Sequence, residues 1–463
     1  MTITLFGAAG SVTGSAYYLE TRSAKIMIDF GVFQGGKEAE KLNRNLPPIE
    51  TSKLDAVVLT HAHLDHTGRL PLLAQNGYRN PVYCTPATID MTTLILHDSV
   101  KVQTMDMEHM NRRRLRKGKA PLTTLYSKAD VEQILALLKP IPYSEPVGIA
   151  KGISIRVVEA GHILGSVSIE VTVEEDGKKK VIIFSGDVGP QGMAILKDPV
   201  PFTTADLVFM ESTYGDRDHR SLKDTLAEGE AVIRQAIQSK GKILIPAFAV
   251  GRTQQLLYYL AAAIHKGNVP HFPVFVDSPM AIEATRIYEK HPELYDEEAL
   301  ELLNSGELKE DLSHLQYSTT ADESKALNDV EGTCMILAGA GMCNAGRIMH
   351  HLRHNLWKPE TSVIIVGYQA EGTLGRQLVD GAEKVTIFGE KIVVKAQIHL
   401  LGGLSAHAGQ TDLLNWFNAV AGSRPRLVLS HGEDKGRKPL AEIIASRYGI
   451  KAILPEYGEV IEL

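Results

Sequence analysis

The segment Leu59-Thr60-His61-Ala62-His63-Leu64-Asp65-His66-Thr67-Gly68 sets four metal-ligand side chains within six residues. It closes an apolar run, Ala56 to Thr60, that reads as a strand. Residues two apart in extended chain point the same way, so His61 and His63 can reach one ion together. Asp65 and His66 fall where the chain turns toward a helix and can face a second ion. Imidazole combined with carboxylate suits zinc or another first-row divalent metal. With 17 histidines in 463 residues, three at these offsets arise by chance roughly 0.02 times per chain, so the spacing carries information that the count does not.

More donors stand just beyond apolar strands. His162 follows Ile153 to Glu159, Asp187 follows Val181 to Phe184 in Ser185-Gly186-Asp187, and His431 follows Leu427 to Ser430. A lone histidine after a strand is ordinarily a solvated loop residue; together with the first cluster these three complete two sites. One ion takes His61, His63 and His162, the other takes Asp65, His66 and His431, and Asp187 bridges them.

The elements that must position these residues fall into two grammars. The N-terminal part reads as short strands (Ile3 to Phe6, Ala16 to Glu20, Lys25 to Phe30), helices over Ala87–Arg116 and Lys128–Leu138, and a hairpin joining Ser166–Val173 to Lys179–Ser185 across Asp176-Gly177. From Lys242 onward, strand, turn and helix alternate four times, with strands at Ile243–Pro246, Val274–Asp277, Met335–Ala338 and Val363–Val366. That alternation predicts a parallel sheet covered on both faces. After about Glu390 the chain returns to short strands.

HxHxDH, a downstream His, a Gly-Asp and a late His-Gly resemble the metallo-β-lactamase superfamily. Glu211-Ser212-Thr213-Tyr214-Gly215, Phe248-Ala249-Val250-Gly251-Arg252-Thr253-Gln254, Gly341-Met342-Cys343 and Ser405-Ala406-His407-Ala408 narrow the resemblance to its β-CASP branch. Short prokaryotic ribonucleases and the endonuclease subunit of the eukaryotic polyadenylation factor are the members most similar. The resemblance implies an α/β chain: a metallo-β-lactamase αββα sandwich (1–216 and 390–463) with an inserted parallel α/β β-CASP domain (217–389) capping the cleft. It implies a metal-dependent ribonuclease acting on single-stranded RNA, with two divalent ions, zinc or alternatively manganese, at His61, His63, Asp65, His66, His162, Asp187 and His431. In that pattern Asp65 counts with the catalytic residues, His407 and Glu211 form the acid pair, Asp29 orients a ligand, and Ser405 contacts a substrate phosphate. A homodimer is compatible with the resemblance. The same fold also serves hydrolases of DNA or of small esters and thioesters, and non-catalytic RNA-binding scaffolds. The full ligand set speaks against a scaffold, and the α/β insertion against a small substrate.

Composition sets the outer bounds. A formal charge of −6 excludes a protein that grips nucleic acid over its whole surface. Three cysteines without CxxC spacing disfavour a disulfide framework or a cysteine zinc site and suit a reducing cytoplasm. The N-terminus shows no secretory signal, no apolar run is long enough to span a bilayer, and the RNA-binding module of some archaeal relatives and the C-terminal domain of ribonuclease J are expected to be missing. His350, His351 and His354 read as a solvated helix face. The run Arg112 to Lys119 reads equally as a solvated helix end or as a grip on an RNA backbone.

Overall fold

Ile3 and Leu5 are fully buried while Thr2 and Thr4 are half-buried, the period-two signature of a strand with one face on a core. In the computed structural model, which describes residues 1–306, 310–367, 369 and 372–463, the three short strands that the sequence predicts form at Thr2–Leu5, Tyr17–Glu20 and Lys25–Ile28 and pair antiparallel. Ala56–Val58, Val82–Cys84 and Leu138–Pro140 extend that sheet in parallel, and Val460–Glu462 completes seven strands at the other edge. A second seven-stranded sheet runs in the order Ala452–Ile453, Arg426–Ser430, Leu207–Glu211, Lys178–Phe184, Val167–Glu175, Ile153–Glu159, Val147–Ala150. Its expected hairpin forms with Glu175 opposite Lys178, and Asp176 and Gly177 take the positive φ values (53° and 71°) that a tight turn of matching twist requires.

The inner faces of both sheets share one core, in which Ile3, Leu5 and Ile26 meet Val157, Ile169, Phe184 and Phe209. Helices cover the outer faces. Pro86–Leu115 and Lys128–Leu135 pack on the first sheet, and Gln410–Ala421 and Asp434–Tyr448 on the second. Thr85 starts the longest helix by accepting the Thr88 N–H, with Pro86 in the first position where its missing donor costs nothing. The result is the αββα sandwich that the resemblance implies.

The chain divides into two compact units, one of Met1–Gln191, Asp198–Asp218 and His407–Leu463, the other of Gly192–Lys197 and His219–Ala406. Within the second, six parallel strands are ordered Leu315–Tyr317, Val274–Val276, Met335–Ala338, Ile243–Pro246, Ser362–Ile365, Gln397–Leu400. All four alternating strand–helix repeats are present, and apolar clusters cover both faces of the sheet. Leu315–Tyr317 was not anticipated, and Gln397–Leu400, expected among the short strands that return after about Glu390, joins this parallel sheet instead.

One expectation is corrected within this unit. His350 and His354 are exposed, but His351 is fully buried and its Nε2 lies 2.6 Å from Asp277 Oδ2. The helix Ile348–Asn355 places His351 with Ile348, Leu352 and Asn355 on its inward stripe, which decides burial before polarity does. Among the described residues, no helix is long and apolar enough to cross a membrane.

Candidate metal centre

Strand direction gathers the donors. Lys25–Ile28 and Ala56–Val58 run parallel, as do Lys178–Phe184, Leu207–Glu211 and Arg426–Ser430, so the residues at their C-terminal ends emerge at one edge of each sheet. Those residues are Asp29, His61 with His63, Asp187, Glu211 and His431. Ile153–Glu159 is antiparallel to Val167–Glu175, itself antiparallel to Lys178–Phe184, so His162 emerges on the same side. Gly31 permits the close pass that brings Asp29 against the Asp65-His66 turn. A Cβ on Gly31 would stand 1.5 Å from the Asp65 carbonyl oxygen.

Seven of the expected ligand side chains converge. His61, His63, His162 and Asp187 form one group of donor atoms, and Asp65, His66 and His431 another. His63 Nδ1 lies 3.1 Å from both His61 Nε2 and His162 Nε2, and Asp187 Oδ2 lies 3.5 Å from the latter two nitrogens. Ligands bound at about 2.0–2.1 Å in a tetrahedron stand about 3.3 Å apart, so these edges match a shared cation. In the second group His66 Nε2 is 3.2 Å from His431 Nε2 and 3.4 Å from Asp187 Oδ1, a buried oxygen with no aligned donor.

The surrounding hydrogen bonds leave the inward nitrogens bare. Asp29 accepts the Thr60 N–H and hydroxyl at 2.8 Å each and the His66 Nδ1–H at 2.7 Å. With its proton given to Asp29, Thr60 Oγ1 accepts from His61 Nδ1 at 3.1 Å. The proton of each ring is thereby fixed on Nδ1 and the Nε2 lone pair points into the centre. Thr213 Oγ1 donates to the His431 carbonyl and lies 3.3 Å from His431 Nδ1, which is also 3.3 Å from Asp187 Oδ1. Facing lone pairs at such distances repel unless a cation lies between them, and the donor set therefore fits a divalent metal site.

Charge makes the same demand. Burial, with His66 nearby, holds His61 well below the ordinary imidazole pKa, in the neutral form that ligates. Burial also opposes charge on His66, but Asp187 and Asp29 outweigh it and raise its pKa well above the usual value, so these carboxylates draw positive charge to its Nε2, as a proton or as a cation that displaces the proton. For Asp187 burial would raise the pKa, yet His431, His66 and His61 together hold it well below the carboxylate range. Carboxylates kept ionised among buried rings call for positive charge in the space between them.

Beside the centre stands the second pair. Glu211, fully buried, accepts the Val188 N–H at 2.6 Å and sits 3.3 Å from His407 Nδ1. Burial pulls the His407 pKa down, but Glu211 and, further off, Asp187 and Asp65 lift it to about 9. His407 remains partly exposed, and its ring centroid is 4.6 Å from that of His162. Ser405 lies in the other compact unit, which ends at Ala406.

Three side chains that hold the site escaped the reading of the sequence. Thr60 links Asp29 to His61, Thr213 holds His431, and Ser185 Oγ accepts the Glu211 N–H at 2.9 Å. Each adjoins a motif residue at a strand end, which is the signal that could have found them.

Comparison with known proteins identifies the domains to which the chain is similar. Residues 18–185 match a metallo-β-lactamase superfamily domain, residues 253–378 a Beta-Casp domain, and residues 391–455 a Zn-dependent metallo-hydrolase RNA specificity domain. The chain is 38% identical to "Ribonuclease TTHA0252" of Thermus thermophilus, over 99% of each chain. It is 31% identical to "Transcription termination factor FttA" of Cenarchaeum symbiosum, covering 100% of this chain and 71% of that one. FttA of Methanosarcina mazei is also 31% identical, over 97% of this chain and 69% of its own. A crystal structure of a protein of unknown function from Enterococcus faecalis shares the fold at a TM-score of 0.56 and 14% identity, covering 100% of this chain and 99% of its own. The end-to-end match and the assembled donor set lead to one assignment: the chain belongs to the β-CASP family of the metallo-β-lactamase superfamily.

Proposed function

We propose that the protein is a metal-dependent ribonuclease that hydrolyses phosphodiester bonds of single-stranded RNA. The observation that carries this reading is the presence, at one edge of the sandwich, of a seven-donor centre beside a further imidazole, that of His407, which is held by the buried Glu211 and lies 3.9 Å from Asp187 Oδ2. The relative named a ribonuclease and the RNA specificity domain match supply the substrate class.

His61, His63 and His162 would hold one ion and Asp65, His66 and His431 a second, with Asp187 shared between them. Divalent ions held by these residues would lower the pKa of water and neutralise charge on phosphoryl oxygens. Asp29, through His66 and Thr60, keeps the ligating nitrogens deprotonated and aimed inward. Glu211 fixes the His407 proton on Nδ1 and favours the doubly protonated ring, so Nε2–H is the proton delivered to the leaving oxygen. Zinc as the native metal, the count of two ions and a homodimeric assembly rest on the family resemblance and are read by metal analysis and sedimentation of the purified chain.

The direct test is cleavage of single-stranded RNA labelled at one end, with and without chelator, against Asp65→Ala. Chelator-sensitive cleavage that the variant lacks supports the reading; cleavage that survives both overturns it. His407→Ala should lower turnover by about 10²- to 10⁴-fold while both metals stay bound. Metal loss in that variant would make His407 a ligand instead of an acid.

A further inference from the structure

The basic run noted in the sequence takes no part in the metal centre. It closes the 30-residue helix Pro86–Leu115, whose last buried residue is Val100, so the fifteen residues that follow carry none. This half is nevertheless ordered from the side. Asn111 donates to the Leu122 carbonyl and accepts the Leu122 N–H, both at 2.8 Å, and Arg114 Nε donates to the Ala120 carbonyl at 2.8 Å. The chain reverses at Gly118, at φ +65°, with Lys117 and Lys119 N–H groups both returning to the Arg114 carbonyl. The reversal folds Lys117 and Lys119 back onto the helix end that carries Arg112, Arg113, Arg114 and Arg116.

Six cations thus share one tip in a chain whose total charge is −6. Among the described residues none of the six has a carboxylate partner, and all but the half-buried Arg114 are exposed. Complementing the helix dipole accounts for the last turn only, which leaves Lys117 and Lys119 unexplained. Like charges held together without counter-ions cost stability, and the structure spends five backbone and side-chain hydrogen bonds ordering them.

We propose that this helix tip is a docking site for the phosphate backbone of single-stranded RNA, separate from the metal centre. The proposal rests on the ribonuclease reading for the identity of the polyanion. Its signature is sequence-independent affinity that falls with salt at about 0.7 logarithmic units per phosphate contact. The site raises affinity for long chains and contributes nothing to bond cleavage.

The test measures binding of a fluorescent 30-nucleotide single-stranded RNA to the full chain between 50 and 300 mM salt, with chelator present so that nothing is cut. Arg113→Gln/Arg116→Gln/Lys117→Gln is compared with Lys151→Gln/Lys178→Gln/Lys179→Gln, which removes the same charge from exposed positions elsewhere. The tip variant should bind about tenfold or more weakly, with a salt slope shallower by about 2, and the control should match the wild type. Lys117→Gln/Lys119→Gln, beyond the helix, should show a smaller loss and a slope shallower by about 1.4. Metal-dependent hydrolysis of bis(p-nitrophenyl) phosphate should not change in any variant. Equal loss in tip and control variants would reduce the effect to bulk charge and overturn the proposal. So would unchanged RNA affinity, which would leave the tip to a protein partner. A chain that binds RNA through the tip yet cleaves none would defeat the ribonuclease reading and leave the docking site standing.

Discussion

Two buried clusters of histidine and aspartate occupy corresponding places at strand ends, one in each compact unit, and they are built for opposite purposes. In the second unit, Asp277 follows the parallel strand Val274–Val276 and is fully buried. Its Oδ1 accepts from Arg347 at 2.7 Å, and its Oδ2 accepts from His351 and Ser324 at 2.6 Å each. Arg347 also donates to the Ser318 and Thr319 carbonyls. Both carboxylate oxygens are satisfied there, and the Arg347 charge balances that of Asp277. In the sandwich, by contrast, ring nitrogens face one another across 3.1–3.2 Å and a buried Asp187 oxygen has no aligned donor. Both places hold an aspartate below the ordinary carboxylate pKa, so that property does not separate them. What separates them is a surplus of inward lone pairs, which a closed network lacks and a cation site must have.

The difference can be broken by substitution. Asp187→Ala removes a carboxylate whose Oδ2 faces His61 and His162 and whose Oδ1 faces His66, and should abolish RNA cleavage and reduce bound metal, read by elemental analysis of the dialysed protein. If the metal content stays at the wild-type level, Asp187 is no ligand and the contrast loses its basis. Asp277→Ala should do the reverse. It leaves Arg347 and His351 without their buried partner and should cost about 3–5 kcal/mol of stability by urea titration, with metal content unchanged.

Smaller effects sharpen the same line. Asp29 touches no ion in this reading but fixes the His66 and Thr60 protons, so Asp29→Ala should weaken metal affinity by about 10- to 100-fold in competition with a chromophoric chelator. The least change concerns pH. Burial alone would raise the Asp277 pKa, but hydrogen bonds from His351, Ser324 and Arg347 outweigh it and lower the pKa. A carboxyl depressed in the native state contributes stability in full above its ordinary value, about 3.8–3.9, and loses it as pH falls from there through the lower native value. The stability gap between wild type and Asp277→Asn should therefore be constant from pH 7 to 5 and narrow below about pH 4. A gap that widens on acidification would mean the carboxyl is protonated more readily in the folded chain.

The sequence made the sandwich cluster legible because its donor residues carry local marks. His61, His63, Asp65 and His66 lie at fixed short offsets, and His162, Asp187 and His431 each sit just past an apolar run. His407 and Glu211 were different: nothing local distinguishes Glu211 from any strand-end carboxylate, and only the resemblance placed the pair, which the structure brings to 3.3 Å. His351 was misread because helix periodicity and burial, not residue type, decide whether a polar side chain is solvated. Thr60 and Thr213 went unread because a hydroxyl that holds a ligand looks like any hydroxyl until its partners are known. The strand Gln397–Leu400 shows the same limit for the fold. It pairs in parallel with Ser362–Ile365, and four residues carry no mark of which sheet they will join.

By itself, then, the sequence determined the chemistry available: donor types, their spacing at strand ends, and two grammars of strand and helix that select a sandwich with a parallel insert. Those are local properties, written in periods of two and 3.6 residues and in short offsets. The tertiary structure decided which donors converge, because bringing His61, His162, Asp187 and His431 together depends on the direction and order of strands up to 370 residues apart in the chain. It also decided which proton sits on which nitrogen, since that follows from partners met only on folding. The physical reason is that a lone pair becomes a metal ligand or a hydrogen-bond acceptor according to what faces it, and what faces it is set by packing.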